Sequence, residues 1–133
     1  GVWSATSGLV RFSTRTRGGS WSTAASVPMC LSNRRVALAP LGASRALLAF
    51  HGTDDALYVS TYTTGAWSTP ARIVTRITGV PAVARGLPGA AAELAWIDPA
   101  GVAFHARLVG TTWSSPLRIG GASLVSVALA TAP

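Results

Sequence analysis

At 133 residues the chain is long enough for one domain with a substantial core. It is 49% hydrophobic and only 11% charged, so large surfaces must be buried between its parts or against other subunits. The eleven basic residues are all Arg, against Asp54, Asp55, Glu93 and Asp98, and the net charge of +7 favours an anionic partner such as nucleic acid, lipopolysaccharide or an acidic glycan. These arginines are spread along the chain without a basic tail, and base-composition bias in the gene explains an Arg-only complement equally well. Cys30 is alone, which excludes an internal disulfide, and its neighbours offer no metal-ligand spacing; a small buried hydrophobe is the expected role. The apolar run 124–130 is far short of the roughly 20 residues a membrane helix needs, and no signal peptide is visible.

In chain order, Gly1-Val-Trp3 matches Leu48-Ala-Phe50 and Leu94-Ala-Trp96, so the chain opens late in a strand; Gly1 in place of Met suggests processing or excision from something longer. Val10 and Phe12 then alternate with Arg11, Ser13 and Arg15, the period of two that sends successive side chains to opposite faces of a strand. Arg17-Gly-Gly-Ser20 makes a turn before Trp21-Ser-Thr-Ala-Ala-Ser-Val27, and Val36-Ala-Leu-Ala-Pro-Leu41 follows. The middle of the chain predicts strands at about 35–40, 46–51, 56–62 and 66–73, with turns at Thr53-Asp-Asp55 and Thr64-Gly-Ala66. There Leu57 and Val59 face one way, Tyr58, Ser60 and Tyr62 the other. Ala82-Val-Ala-Arg-Gly-Leu87 opens the next set, in which Val102 and Phe104 are expected opposite Ala103, His105 and Arg107. Asp98-Pro-Ala-Gly101 and Val109-Gly-Thr-Thr112 supply its turns, and Ala128-Leu-Ala130 reads as a last, truncated strand.

The sets are copies of one unit. Trp21-Ser22, Trp67-Ser68 and Trp113-Ser114 stand 46 residues apart, and Trp67-Ser-Thr-Pro-Ala-Arg-Ile73 returns as Trp113-Ser-Ser-Pro-Leu-Arg-Ile119. Approximate repeats are 1–44, 45–90 and 91–133, the first and last sharing a unit. Repeated four-stranded antiparallel units of this length are the signature of β-propeller blades. The fold expected is therefore all-β, with three blades in one module. Closed rings need typically about 4–8 blades, so oligomerisation or further sequence would complete this one; a two-chain, six-bladed ring is the simplest solution.

Gly52-Thr-Asp-Asp-Ala-Leu-Tyr58, followed by Thr64-Gly-Ala-Trp67-Ser68, resembles the repeat of bacterial propeller lectins of the Photorhabdus type, whose units carry a GTDxALW-like stretch, a Gly-rich turn and a Trp-Ser. Fucose-binding propeller lectins of fungi and bacteria are similar in layout. The likeness is sharpest in the middle copy, thinner over Asp98–Phe104 and weakest over Thr6–Phe12, and Tyr58 stands where the family has Trp. It implies a carbohydrate-binding propeller with sites between blades. The sialidase-type Asp-box is absent.

Sugar binding needs aromatic faces for C–H groups and planar donors for hydroxyls. Trp21, Trp67 and Trp113 supply candidates for the first, and Arg72 and Arg118 for the second, although packing between blades would also place a Trp at one point in every copy. Trp3, Phe50 and Trp96 read as core. The polar or amphipathic face of the third strand adds Arg11 and Arg15, Tyr58 and Tyr62, and His105 and Arg107, either as a solvated surface or as a binding face. Four acids and two His form no duplicated carboxylate pair, nucleophile elbow, zinc motif or phosphate loop, so the expectation is no enzyme, no cofactor and no metal. Asp54-Asp55 sits where turns favour Asp. The expected function is multivalent recognition of glycans, fucosylated or acidic, by a secreted or cell-surface protein. The alternative is a structural or protein-interaction propeller in a larger assembly. A nucleic-acid or general anion binder rests on charge alone.

Overall fold

The computed structural model describes residues 1–121 and 123–130. Every regular element among them is a strand: β1 (Val2–Ser4), β2 (Leu9–Phe12), β3 (Ala25–Leu31), β4 (Ala37–Gly42), β5 (Arg45–His51), β6 (Leu57–Thr63), β7 (Ala66–Trp67), β8 (Ala71–Val74), β9 (Thr78–Arg85), β10 (Ala92–Ile97), β11 (Ala103–Val109), β12 (Thr112–Trp113) and β13 (Leu117–Arg118). They form three antiparallel sheets, ordered β1-β2-β3, then β4-β5-β6 with β7 and β8 both on β6, then β9-β10-β11 with β12 and β13 both on β11. The sheets are offset from the sequence repeats by one strand, because β4 and β9 each pair with the strand that follows them.

Two apolar clusters join the sheets. Val10, Val27 and Cys30 of the first pack with Leu48 and Phe50 of the second. Leu47, Ala49, Leu57 and Val59, on the opposite face of the second sheet, pack with Leu94, Trp96 and Leu108 of the third. Each cluster draws alternate residues of its strands, so period two is what lets the middle sheet bury both faces. Burial pushes the Cys30 thiol up to about 12, and the thiol serves as a packed hydrophobe.

The repeat is also visible in backbone detail. The hairpins joining β1 to β2, β5 to β6 and β10 to β11 each place one residue in the left-handed region, Gly8 (φ 79°), Asp55 (φ 66°) and Gly101 (φ 76°). The carbonyls of these residues accept the N–H groups of Ser32, Ile77 and Leu124, tying each hairpin to the segment that leaves its sheet. The Ser after each repeated Trp has a defined task. Ser22, Ser68 and Ser114 accept the backbone N–H of Thr14, Thr61 and Arg107 on Oγ at 3.0 Å, and return their own N–H to the same residue's carbonyl. In the first two sheets a buried Ser, Ser13 or Ser60, donates to the carbonyl of that Ser at 2.7 Å. The hydroxyl thus patches the ladder where the last strand breaks.

Four expectations change. The strand expected over 66–73 is two short strands, because Ser68-Thr-Pro70 leaves the ladder and Pro70 has no N–H to donate. Trp3 is 41% exposed, whereas Phe50 and Trp96 are each 2% exposed, because among the described residues no sheet covers its face. In the third sheet Phe104 lies opposite His105 and Arg107 as expected, but the match between copies shifts by one residue: Trp96 pairs with Phe104 as Phe50 pairs with Tyr58, so Phe104, not His105, takes the place of Tyr58. Finally, Ala128–Ala130 forms no strand, having no sheet partner among the described residues; 131–133, the end of the last repeat, lie outside them.

Candidate functional site

The hydrogen-bonded registers align the three sheets residue by residue. Opposite the repeated Trp stand Arg15 in the first, Tyr62 in the second and Leu108 in the third. The three environments differ accordingly. Trp21 is 57% exposed, with the Arg15 guanidinium 5.9 Å from its ring centroid. Trp67 is half-buried, edge-on to Phe12 at 5.7 Å and tilted against Tyr62 at 5.2 Å. Trp113 packs against the core cluster of the second and third sheets.

A cleft of about 420 Å³ lies where the first two sheets meet. Phe12 and Arg15 come from the first sheet, and Tyr62, Trp67 and Arg45 from the second. Thr14, Ser44 and Thr64 also line it, as does Ser13, whose hydroxyl is committed to the Ser22 carbonyl. This combination of aromatic wall, flanking guanidinium groups and hydroxyls can hold a small polar ligand that has an apolar face. The Trp67 Nε1–H is buried, with no acceptor among the described residues.

A second, smaller cleft of about 240 Å³ lies near the β5–β6 hairpin, lined by Met29, Leu31, Phe50, Asp54 and Tyr58 among others. Tyr58 stacks on Phe50 at 5.5 Å with an 18° interplanar angle, and its hydroxyl donates to Asp54 Oδ2 at 2.7 Å. Arg72 lies opposite Tyr58 in the strand register. The hydrogen bond from Tyr58 holds the Asp54 carboxyl below the usual range, with a smaller contribution from the charge of Arg72. The same bond raises the phenol of Tyr58. The phenol's share of the interaction is therefore lost as pH rises through its raised value, and the carboxylate's share is lost as pH falls through its lowered one. In a spectrophotometric titration, Tyr58 is expected to ionise above the ordinary phenol value of about 10 and Asp54→Asn to bring it back down. An unchanged titration in Asp54→Asn would remove the bond from the account.

His105 and Arg107 converge elsewhere, on the face of the third sheet turned away from the second. His105 Nε2 lies 2.7 Å from Glu93 Oε2, and Arg107 Nε donates to Glu93 Oε1 at 3.0 Å. Arg118 is an exposed residue opposite Phe104 whose Nε donates to the Gly120 carbonyl at 3.2 Å. The candidates therefore divide among separate places. Trp67 and Tyr62 share the large cleft, Tyr58 lines the small one with Arg72 across the ladder from it, and His105 and Arg107 form the charged cluster; Trp21 lines a shallow cleft with Trp3. Sequence reasoning missed Phe12, Arg45 and Glu93 as site residues. Glu93 left a readable signal, since it is the one charge in the apolar run Ala92–Ile97.

His51 is structural. It is buried, Nδ1 donates to the Gly79 carbonyl at 2.8 Å across to the third sheet, and Nε2 faces Asp55 Oδ1 at 3.1 Å. Among the described residues no group of three or more His, Cys, Asp or Glu has metal-binding geometry, and no helix is long and apolar enough to cross a membrane. No family model matches the chain, and no curated protein is significantly similar to it.

Proposed function

We propose that the three sheets are successive blades of a β-propeller and that the module recognises carbohydrate without catalysis. The sheets are wound in the same order, each antiparallel between sequential neighbours, and adjacent sheets bury facing surfaces. That arrangement supports the blade reading. In this reading the ring is completed by other copies or by further sequence, and the module is displayed outside the cell, where multivalent binding to surface glycans gains from avidity.

The observation that carries the binding assignment is the large cleft between the first two sheets. Tyr62, Trp67 and Phe12 offer aromatic surface to the C–H side of a sugar ring, and Arg15, Arg45 and the surrounding hydroxyls offer partners to its hydroxyl groups. The test is a glycan array at physiological and high salt. A narrow set of sugars is expected to bind with little salt dependence. Trp67→Ala should weaken binding on the order of 10-fold or more while the circular dichroism spectrum is preserved, since an aromatic contact and its buried area are lost together. An array blank for every glycan would overturn the assignment. Signal on all acidic glycans that fades with salt would reduce it to non-specific charge attraction.

A protein-interaction module is the second reading. The exposed pair Trp3 and Trp21 favours it, because large aromatics on an uncovered sheet face are typical anchors of protein contacts.

A further inference from the structure

We propose that the cleft holding Glu93, His105 and Arg107 is a second binding site, chemically unlike the first, and that it takes the carboxylate of an acidic sugar. The cleft measures about 350 Å³ and is lined by Ala84, Leu87, Leu129 and Ala130 together with the three charged or polar side chains. It repeats the position of the large cleft. By strand register, His105 and Arg107 hold the places of Phe12 and Thr14, both of which line the large cleft. Leu38 lines that cleft too, and its counterpart in the repeated Ala-Leu-Ala segment, Leu129, lines this one.

The strand positions themselves do not ask for charge. In the second sheet the residues in the places of Glu93, His105 and Arg107 are Leu47, Val59 and Thr61, and Leu47 and Val59 are buried core. A carboxylate as buried as that of Glu93 is costly unless both its oxygens are engaged, as they are. The result is a positioned pair of donors. An ionised Glu93 accepts from His105 Nε2 and from Arg107 Nε, which leaves the Nη edge of the guanidinium uncommitted among the described residues. Arg107 is 44% exposed, so that edge is open to a ligand. A planar guanidinium edge matches a carboxylate with two parallel hydrogen bonds.

The remaining features choose among anions. Glu93 lies within hydrogen-bonding distance of both donors, so it repels a dianionic phosphate more than a monoanionic carboxylate. Its remaining lone pairs accept from sugar hydroxyls, and the apolar walls formed by Leu87 and Leu129 suit the C–H face of a ring. The excess of arginine over acid throughout the chain draws an anion in. The sugar in this assignment rests on the glycan reading above, whereas the carboxylate contact stands without it.

Isothermal titration calorimetry of the full chain with D-glucuronate, its neutral methyl ester, glucose and acetate tests the proposal. Glucuronate is expected to bind, with the ester and glucose weaker on the order of 10-fold or more. Arg107→Lys, which keeps the charge but loses the planar edge, should cost on the order of 10- to 100-fold. Glu93→Gln should weaken binding by releasing both donors. Absence of heat with glucuronate at concentrations on the order of 10 mM would overturn the proposal. Equal binding of the ester, or no effect of Arg107→Lys, would do the same. Acetate bound as tightly as glucuronate would overturn the sugar and keep the carboxylate site. A glycan array blank for neutral sugars, with glucuronate still binding, would remove the first reading and leave this one intact.

Discussion

Trp96→Ala is expected to destabilise the chain by about 3–5 kcal/mol, the cost of deleting a large aromatic from a packed core. Trp96 is 2% exposed, lies in the cluster that joins the second and third sheets, and stacks on Phe104 at 6.0 Å and 17°. Its removal opens a void against both Leu94 and the facing strands of the second sheet. Trp3→Ala provides the contrast, since Trp3 holds the same strand position but is 41% exposed. It should cost no more than about 1 kcal/mol. Urea midpoints for the two variants decide the matter. Similar midpoints would mean that Trp3 is covered in solution, by another copy or another partner, and would overturn the free-face description of the first sheet.

The second large effect concerns Glu93 and separates charge from packing. Replacing it alone by Leu removes the acceptor of two charge-assisted hydrogen bonds and is expected to cost about 2 kcal/mol, the value being moderated because Arg107 can turn to water. Replacing all three residues, by Glu93→Leu, His105→Val and Arg107→Thr, installs the side chains that the second sheet already uses at these positions. That triple variant is expected to equal or exceed the natural chain in stability, by up to about 4 kcal/mol, because an apolar set needs no desolvation of ions. The non-additivity is the signature, and urea denaturation of the single and triple variants measures it. A triple variant less stable than the single one would show that the ionic cluster is needed for folding.

Much of the fold was legible because strand period and turn chemistry agree within each copy. The alternation over Leu57–Tyr62 placed β6 to within a residue, and Thr53-Asp-Asp55 placed its hairpin. The third copy misled for a physical reason. Val102 looks like the first inward residue of a strand, but its N–H bonds to Asp98 Oδ1 at 2.9 Å and its carbonyl accepts from Asp98 N–H, so it belongs to the turn. Val102 is thus the counterpart of Ala56, not of Leu57, and a slip of one residue in aligning the copies matched every later side chain with the opposite face of the second sheet. That slip grouped His105 and Arg107 with Tyr58 and Tyr62, although they belong to the opposite face of the aligned strand and correspond to Val59 and Thr61. Trp21, Trp67 and Trp113 are identical in sequence context yet unlike in surroundings, because the residue across the ladder changes from Arg15 to Tyr62 to Leu108. Only pairing between strands reveals that partner.

The hairpin carbonyls of Gly8, Asp55 and Gly101 each bind the segment leaving their own sheet, and among the described residues the apolar clusters link each sheet to its sequence neighbour. In such a one-dimensional stack, energies add by unit and by junction. A substitution in one cleft is then paid for locally, and the other junctions do not register it. The molecule can thus be edited compartment by compartment: one junction is a hydrophobic weld, another an aromatic slot and the outer face an ionic cradle, all on one repeated pattern of pairing. Duplication followed by local revision would yield several recognition chemistries on one rigid frame, with no change to the frame itself.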